Sequence, residues 1–94
     1  GVWYGFGLRQ LHLIVNPDAT YRAARIDPGD VHFALATRDF EGWVRRLAEA
    51  GYRADLAPED PKWVRIGRGA TAGFDQVFLL DPDNHVIEIN SAAL

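Results

Sequence analysis

The segment 76–90, QVFLLDPDNHVIEIN, constrains the fold more than any other part of the chain, because two β-branched and aromatic runs flank a cluster of turn-forming residues. Pro82 presets φ for a turn and Asn84 tolerates positive φ, so the segment is predicted to be a β-hairpin. Strand alternation in VIEIN gives Ile87 and Ile89 one face and leaves Val86, Glu88 and Asn90 on the other. Glu88 is the anomaly. A carboxylate in mid-strand requires water, a hydrogen-bonding partner or a metal.

Upstream, residues 2–7 (VWYGFG) and 10–16 (QLHLIVN) predict a second hairpin, in which Leu11, Leu13 and Val15 alternate with Gln10, His12 and Ile14. Asn16-Pro17-Asp18 stops that strand, and residues 19–30 have the composition of a connector. Residues 31–37, VHFALAT, then place Val31, Phe33 and Leu35 on one face and His32, Ala34 and Ala36 on the other. Asp39 is placed to cap a helix in which Phe40, Val44, Leu47 and Ala48 recur at helical spacing, and Gly51 suits the position just past its end near Ala50. Residues 52–56 are expected to form a short strand. The following segment, 57–73, is punctuated by Pro58, Pro61, Gly67, Gly69 and Gly73 and reads as a long mobile loop with residues 63–66 extended inside it. No helix start follows those glycines, so they are not a phosphate-binding loop.

From residue 31 the order is therefore strand, helix, strand, strand, strand, with two further strands before it. One helix covers one sheet face, so Val31/Phe33/Leu35, Val77/Leu79 and Ile87/Ile89 are expected to pack on the helix stripe. The opposite face collects His32, Ala34, Ala36, Gln76, Phe78, Val86, Glu88 and Asn90, and the same parity adds His12.

Composition narrows the chemistry. With 94 residues and no cysteine, the chain can form no disulfide or thiolate site, and any metal must be held by His and carboxylate. A net charge of −3, with Lys and Arg scattered, gives no footprint for nucleic acid, and no apolar run is long enough to span a bilayer. Ser91 is the single serine and lies in the tail after the hairpin, which removes a Ser-His-Asp triad. No signal peptide is visible, which points to the cytoplasm. The chain contains no methionine and opens directly on a strand-like segment, as expected if its beginning is missing.

The run HFALATRDFEGWVRRLAEAGY followed by QVFLLDPDNHVIEIN is similar to the second module of the vicinal oxygen chelate superfamily, the glyoxalase, bleomycin-resistance and dioxygenase group. VWYGFGLRQLHLIVN resembles the last two strands of the first module. The resemblance implies an α+β fold of paired βαβββ modules forming a cupped mixed β-sheet. Residues 1–94 would be a single domain, with 1–16 ending a first module that is incomplete in this chain, 17–30 connecting, and 31–94 forming the second module. It further implies a divalent ion, of iron, manganese, zinc or nickel, held by His32 and Glu88 at the second module's ligand positions and by His12 on the last strand of the first. Glu88 would also be catalytic, in lyase, isomerase or dioxygenase chemistry on a small molecule with vicinal oxygens. A metal-free sequestering protein of the bleomycin-resistance kind and a degenerate structural module are the alternatives. Trp3, Trp63, Arg65 and Phe78 are candidate substrate contacts, although the same residues could fill a core or carry a solvated charge. His85, in the hairpin turn, is expected to be exposed. A homodimer is expected, since two strands of a partial module cannot cover their own apolar face.

Overall fold

The expected 76–90 hairpin forms, residues 2–6 and 9–13 pair antiparallel as expected while residues 14–16 of that strand lie outside the described residues, and a parallel pairing joins residue 32 to residue 86. The computed structural model describes residues 2–6, 9–13, 25–28, 32–69 and 72–93. Its elements are β1 (Val2–Phe6), β2 (Arg9–Leu13), β3 (His32–Ala36), α1 (Phe40–Glu49), β4 (Arg65–Arg68), β5 (Asp75–Leu80) and β6 (Val86–Asn90). β1 and β2 form a two-stranded antiparallel sheet, and the remaining strands form a mixed sheet in the order β3-β6-β5-β4. β3 runs parallel to β6, and the other neighbours in that sheet are antiparallel.

Both ends of α1 are fixed by local chemistry that the sequence displays. The Asp39 carboxylate accepts from the Gly42 N–H at 3.1 Å, satisfying one of the orphan donors of the first turn. At the other end Gly51 adopts φ +93° and donates to Ala48, while the Tyr52 N–H donates to Leu47. This is a Schellman closure, and it needs a residue that enters the left-handed region freely. The cap also explains Gly42. A Cβ there would overlap the Asp39 carboxylate, so Gly42→Ala, which gains about 1 kcal/mol in an ordinary helix interior, is expected here to give no stabilisation or a loss. Thermal unfolding of the variant beside Asp39→Ala would test this.

The hairpin turn is held by Asp81. Its carboxylate accepts from the backbone N–H groups of Asp83 and His85, and Asn84 sits at φ 64°. His85 itself is exposed, as expected.

The helix stripe of Phe40, Val44 and Leu47 packs on Val64, Ile66, Val77, Leu79 and Ile89. No residue of β3 belongs to this cluster. Phe33 and Leu35, expected beneath the helix, are 43% and 46% exposed, because α1 lies over the β4–β5–β6 part of the sheet and β3 forms its edge. Val31 lies outside the described residues.

The strand expected at 52–56 is also corrected. That stretch is a turn with a single bridge between Arg53 and Trp63, tightened by an Arg53–Asp55 ion pair. The strand that follows the helix is β4, inside the segment read as a loop. Ile66 alone supplies an apolar side chain, partly buried against the core, so Arg65, Gly67 and Arg68 hide its alternation.

Candidate functional site

Glu88 stands at the middle of β6, in register with Ala34 on β3 and Phe78 on β5. It is 6% exposed. The parallel pairing of β3 and β6 lets His32 reach diagonally across the sheet, so that its Nε2 lies 3.0 Å from Glu88 Oε1 despite a separation of 56 residues. An ionised carboxylate only accepts, so Nε2 carries the proton and donates. Ala34 and Ala36, the other cleft-face residues of β3, leave room for the imidazole to lean. Its far side meets the ring of Phe78 edge-on, with centroids 5.7 Å apart.

The other carboxylate oxygen, Oε2, accepts from Gln76 Nε2 at 3.2 Å and from Asn90 Nδ2 at 2.6 Å. The orientation of Asn90 is not arbitrary. Its Oδ1 accepts from the Ala92 N–H at 3.1 Å, which turns its NH₂ toward Glu88. Burial, the largest single influence, disfavours the charged form. The hydrogen bonds from Asn90, Gln76 and His32, together with the charge of His32, outweigh it and hold the Glu88 carboxyl below its ordinary value.

The sign of the pH effect follows. The folded state binds fewer protons than the unfolded state near the ordinary carboxyl value of 4.5. The stabilisation from Glu88 is therefore complete above that value and is lost as pH falls through the lower folded-state value. Urea unfolding between pH 6 and about 3 should show this acid-side loss in the wild type and a smaller one in Glu88→Gln.

Around this cluster is a cleft of about 410 Å³. Phe78 is buried at its floor, backed by Leu80, Val86 and Ile26. Arg65 borders it from β4, directly opposite Phe78. Pro28 borders it from the connector segment.

Of the residues singled out from the sequence, His32, Glu88, Arg65 and Phe78 thus share one cleft. Trp63 does not line it; its indole N–H donates to the Ala54 carbonyl at 3.2 Å, which ties it to the turn after the helix. Trp3 is 61% exposed on β1, in register with His12 on β2. The side chain of His12 lies outside the described residues. Gln76 and Asn90 emerge as partners of Glu88. Strand parity put them on this face, but nothing in the sequence marked them as its hydrogen-bond donors.

The pair can contribute to a metal site once Nε2 gives up the proton it donates to Oε1, since only a deprotonated ring nitrogen ligates. In an octahedral site two ligand atoms bound at about 2.1 Å each and set at a right angle lie about 3.0 Å apart, which is the Nε2–Oε1 separation here, whereas a tetrahedral ion sets them about 3.4 Å apart. Among the described residues no group of three His, Cys, Asp or Glu side chains gathers around one point. A cation is not required to neutralise a stranded carboxylate, since Glu88 already has three protein donors.

The family model of the glyoxalase/bleomycin resistance protein/dioxygenase superfamily matches residues 6–89. The chain belongs to this superfamily. Among the described residues, the mixed four-stranded sheet with one helix is consistent with a glyoxalase-type βαβββ module. No curated protein and no solved structure matches the chain. In this glyoxalase-superfamily module the first and last strands pair in parallel, and that pairing brings His32 and Glu88 together. Among the described residues, no helix is long and apolar enough to cross a membrane.

Proposed function

We propose that this superfamily member is a metal-dependent enzyme in which His32 and Glu88, with His12, hold a divalent ion and act on a small molecule bearing vicinal oxygens. The observation that carries the reading is the buried, ionised Glu88 with His32 at 3.0 Å, two groups whose donor atoms converge on one edge of the cleft. A divalent ion bound there supplies Lewis-acid polarisation of substrate oxygens for lyase, isomerase or dioxygenase chemistry.

The protein's own part is positioning. Gln76 and Asn90 occupy Oε2, which leaves Oε1 as the atom that Glu88 turns toward His32 and the cleft. Oε1 is the single oxygen left for either task, holding the ion or, when released from it, a proton leaving or joining a substrate. Phe78 lies directly beside it in register and keeps the floor of the site apolar. Calorimetric titration with Mn²⁺, Zn²⁺, Ni²⁺ and anaerobic Fe²⁺ tests this reading. The expected result is stoichiometric binding to the wild type, weakened in His32→Ala and in His12→Ala; binding unaffected by either change would sink it.

A second reading, a metal-free ligand-sequestering protein, is favoured by one observation: among the described residues no buried side-chain polar atom lacks a partner, so the site is satisfied by the protein alone. In either case we expect the chain to work as a homodimer in the cytoplasm with a small-molecule ligand. The exposed Phe33 and Leu35 on β3 support the dimer. Light scattering checks it, and a dilute monomer of 94 residues that stays monomeric would remove that part of the reading.

A further inference from the structure

The two arginines of β4 are sorted by strand parity. Arg68 points to the helix side, where it pairs with Glu41 and lies over the ring of Phe40. Arg65 points to the cleft. Arg25, Arg46, Arg53 and Arg68 each pair with a carboxylate. Arg38, Arg45 and Arg65 have no carboxylate partner among the described residues, and of these three Arg65 alone borders this cleft, with its side chain exposed to an incoming ligand. The one carboxylate lining the same cleft, Glu88, is already engaged by His32, Gln76 and Asn90.

The sheet register then sets a ruler. Glu88, Phe78 and Arg65 occupy adjacent strands in one cross-strand row, on one face. With strands about 4.8 Å apart, the backbones of Glu88 and Arg65 are about 10 Å from each other, and Phe78 fills the floor between them. The next cleft-face position on β4 is open, since a Cβ at Gly67 would touch nothing within 4 Å. Gly67 is in register with Gln76, so the open ground runs from beside Arg65 to the donors of Glu88.

We propose that the cleft is specific for a small carboxylate: a compact, flat body lies over Phe78, its anionic group meets the Arg65 guanidinium, and its oxygen-bearing end faces His32 and Glu88. This rests on reading the cleft as the substrate site. A planar fork of N–H donors matches a carboxylate in two parallel hydrogen bonds, whereas a neutral amide offers a single acceptor and no charge. The ligand length that fits is one aromatic ring with its polar groups at opposite ends.

The test uses 3,4-dihydroxybenzoate and its neutral isostere 3,4-dihydroxybenzamide, each titrated calorimetrically into the protein as purified and after loading with Mn²⁺. The wild type should bind the carboxylate about tenfold more tightly than the amide. Arg65→Gln should bring the two to equal affinity, and Arg65→Lys should restore only part of the difference because it keeps the charge and loses the fork. Metal binding should not change in either variant. Equal affinities for the two probes in the wild type, or no binding of either, overturns the inference. Stoichiometric metal binding in that same sample would leave the proposed function standing, so the two failures are distinguishable.

Discussion

Replacing Glu88 by Gln is expected to weaken divalent-metal binding by on the order of 100-fold or more, since loss of a ligand charge exceeds the 10- to 100-fold typical of losing an outer partner. The fold should survive. A Gln side chain nearly matches Glu in size, and its carbonyl can take the place of Oε2 and accept from Gln76 and Asn90. Its NH₂ then faces His32 Nε2, which must give up its proton to accept. The cost is one exchanged hydrogen bond, about 1 kcal/mol. Glu88→Ala is different, because it strands the amides of Gln76 and Asn90 in a buried position, and unsatisfied buried donors cost about 1–3 kcal/mol each. Calorimetric metal titration and urea unfolding on both variants separate the two effects. If Glu88→Gln keeps wild-type metal affinity, Glu88 is not a ligand.

Phe78→Ala should be among the most damaging core substitutions, costing about 3–5 kcal/mol. Phe78 is 5% exposed, packs with Leu80, Val86 and Ile26, and supports the His32 ring edge-on. Truncation removes the apolar burial, leaves a cavity that its strand neighbours cannot close, and frees His32 to rotate away from Glu88. The variant should therefore lose stability and metal affinity together. Phe78→Leu keeps most of the volume and should preserve the fold while loosening the imidazole. Unfolding midpoints with metal titration on the pair check this; wild-type stability in Phe78→Ala would show that the ring serves bound ligand rather than the core.

What the sequence made legible was whatever local chemistry fixes. Asp39 and Gly51 bound the helix because an orphan N–H and a left-handed residue have few solutions. Pro82 and Asn84 marked the hairpin for the same reason, and parity alone placed His32, Phe78 and Glu88 on one face. Placement of the helix over the sheet was not legible. It depends on how Phe40, Val44 and Leu47 meet β4, β5 and β6, and it is why Phe33 and Leu35 are left uncovered. An extended piece at 63–66 was legible, but the bounds of β4 at 65–68 were not, because one isoleucine among arginines and glycines carries too little alternation. Whether Trp63 lines this cleft was not legible, since a tryptophan held to a turn carbonyl has the same letter as one that faces a pocket. Asn90 shows the remaining gap: its face was readable, but its role depends on the Ala92 N–H turning its amide toward Glu88.

Elemental analysis of protein purified without chelator shows whether the His32–Glu88 pair belongs to a divalent-metal site. A first-row divalent ion is expected at close to one equivalent, lost on dialysis against chelator and regained from that metal alone. A protein that is metal-free as isolated, and remains so after equilibration with Mn²⁺, Zn²⁺, Ni²⁺ and anaerobic Fe²⁺, would contradict that assignment.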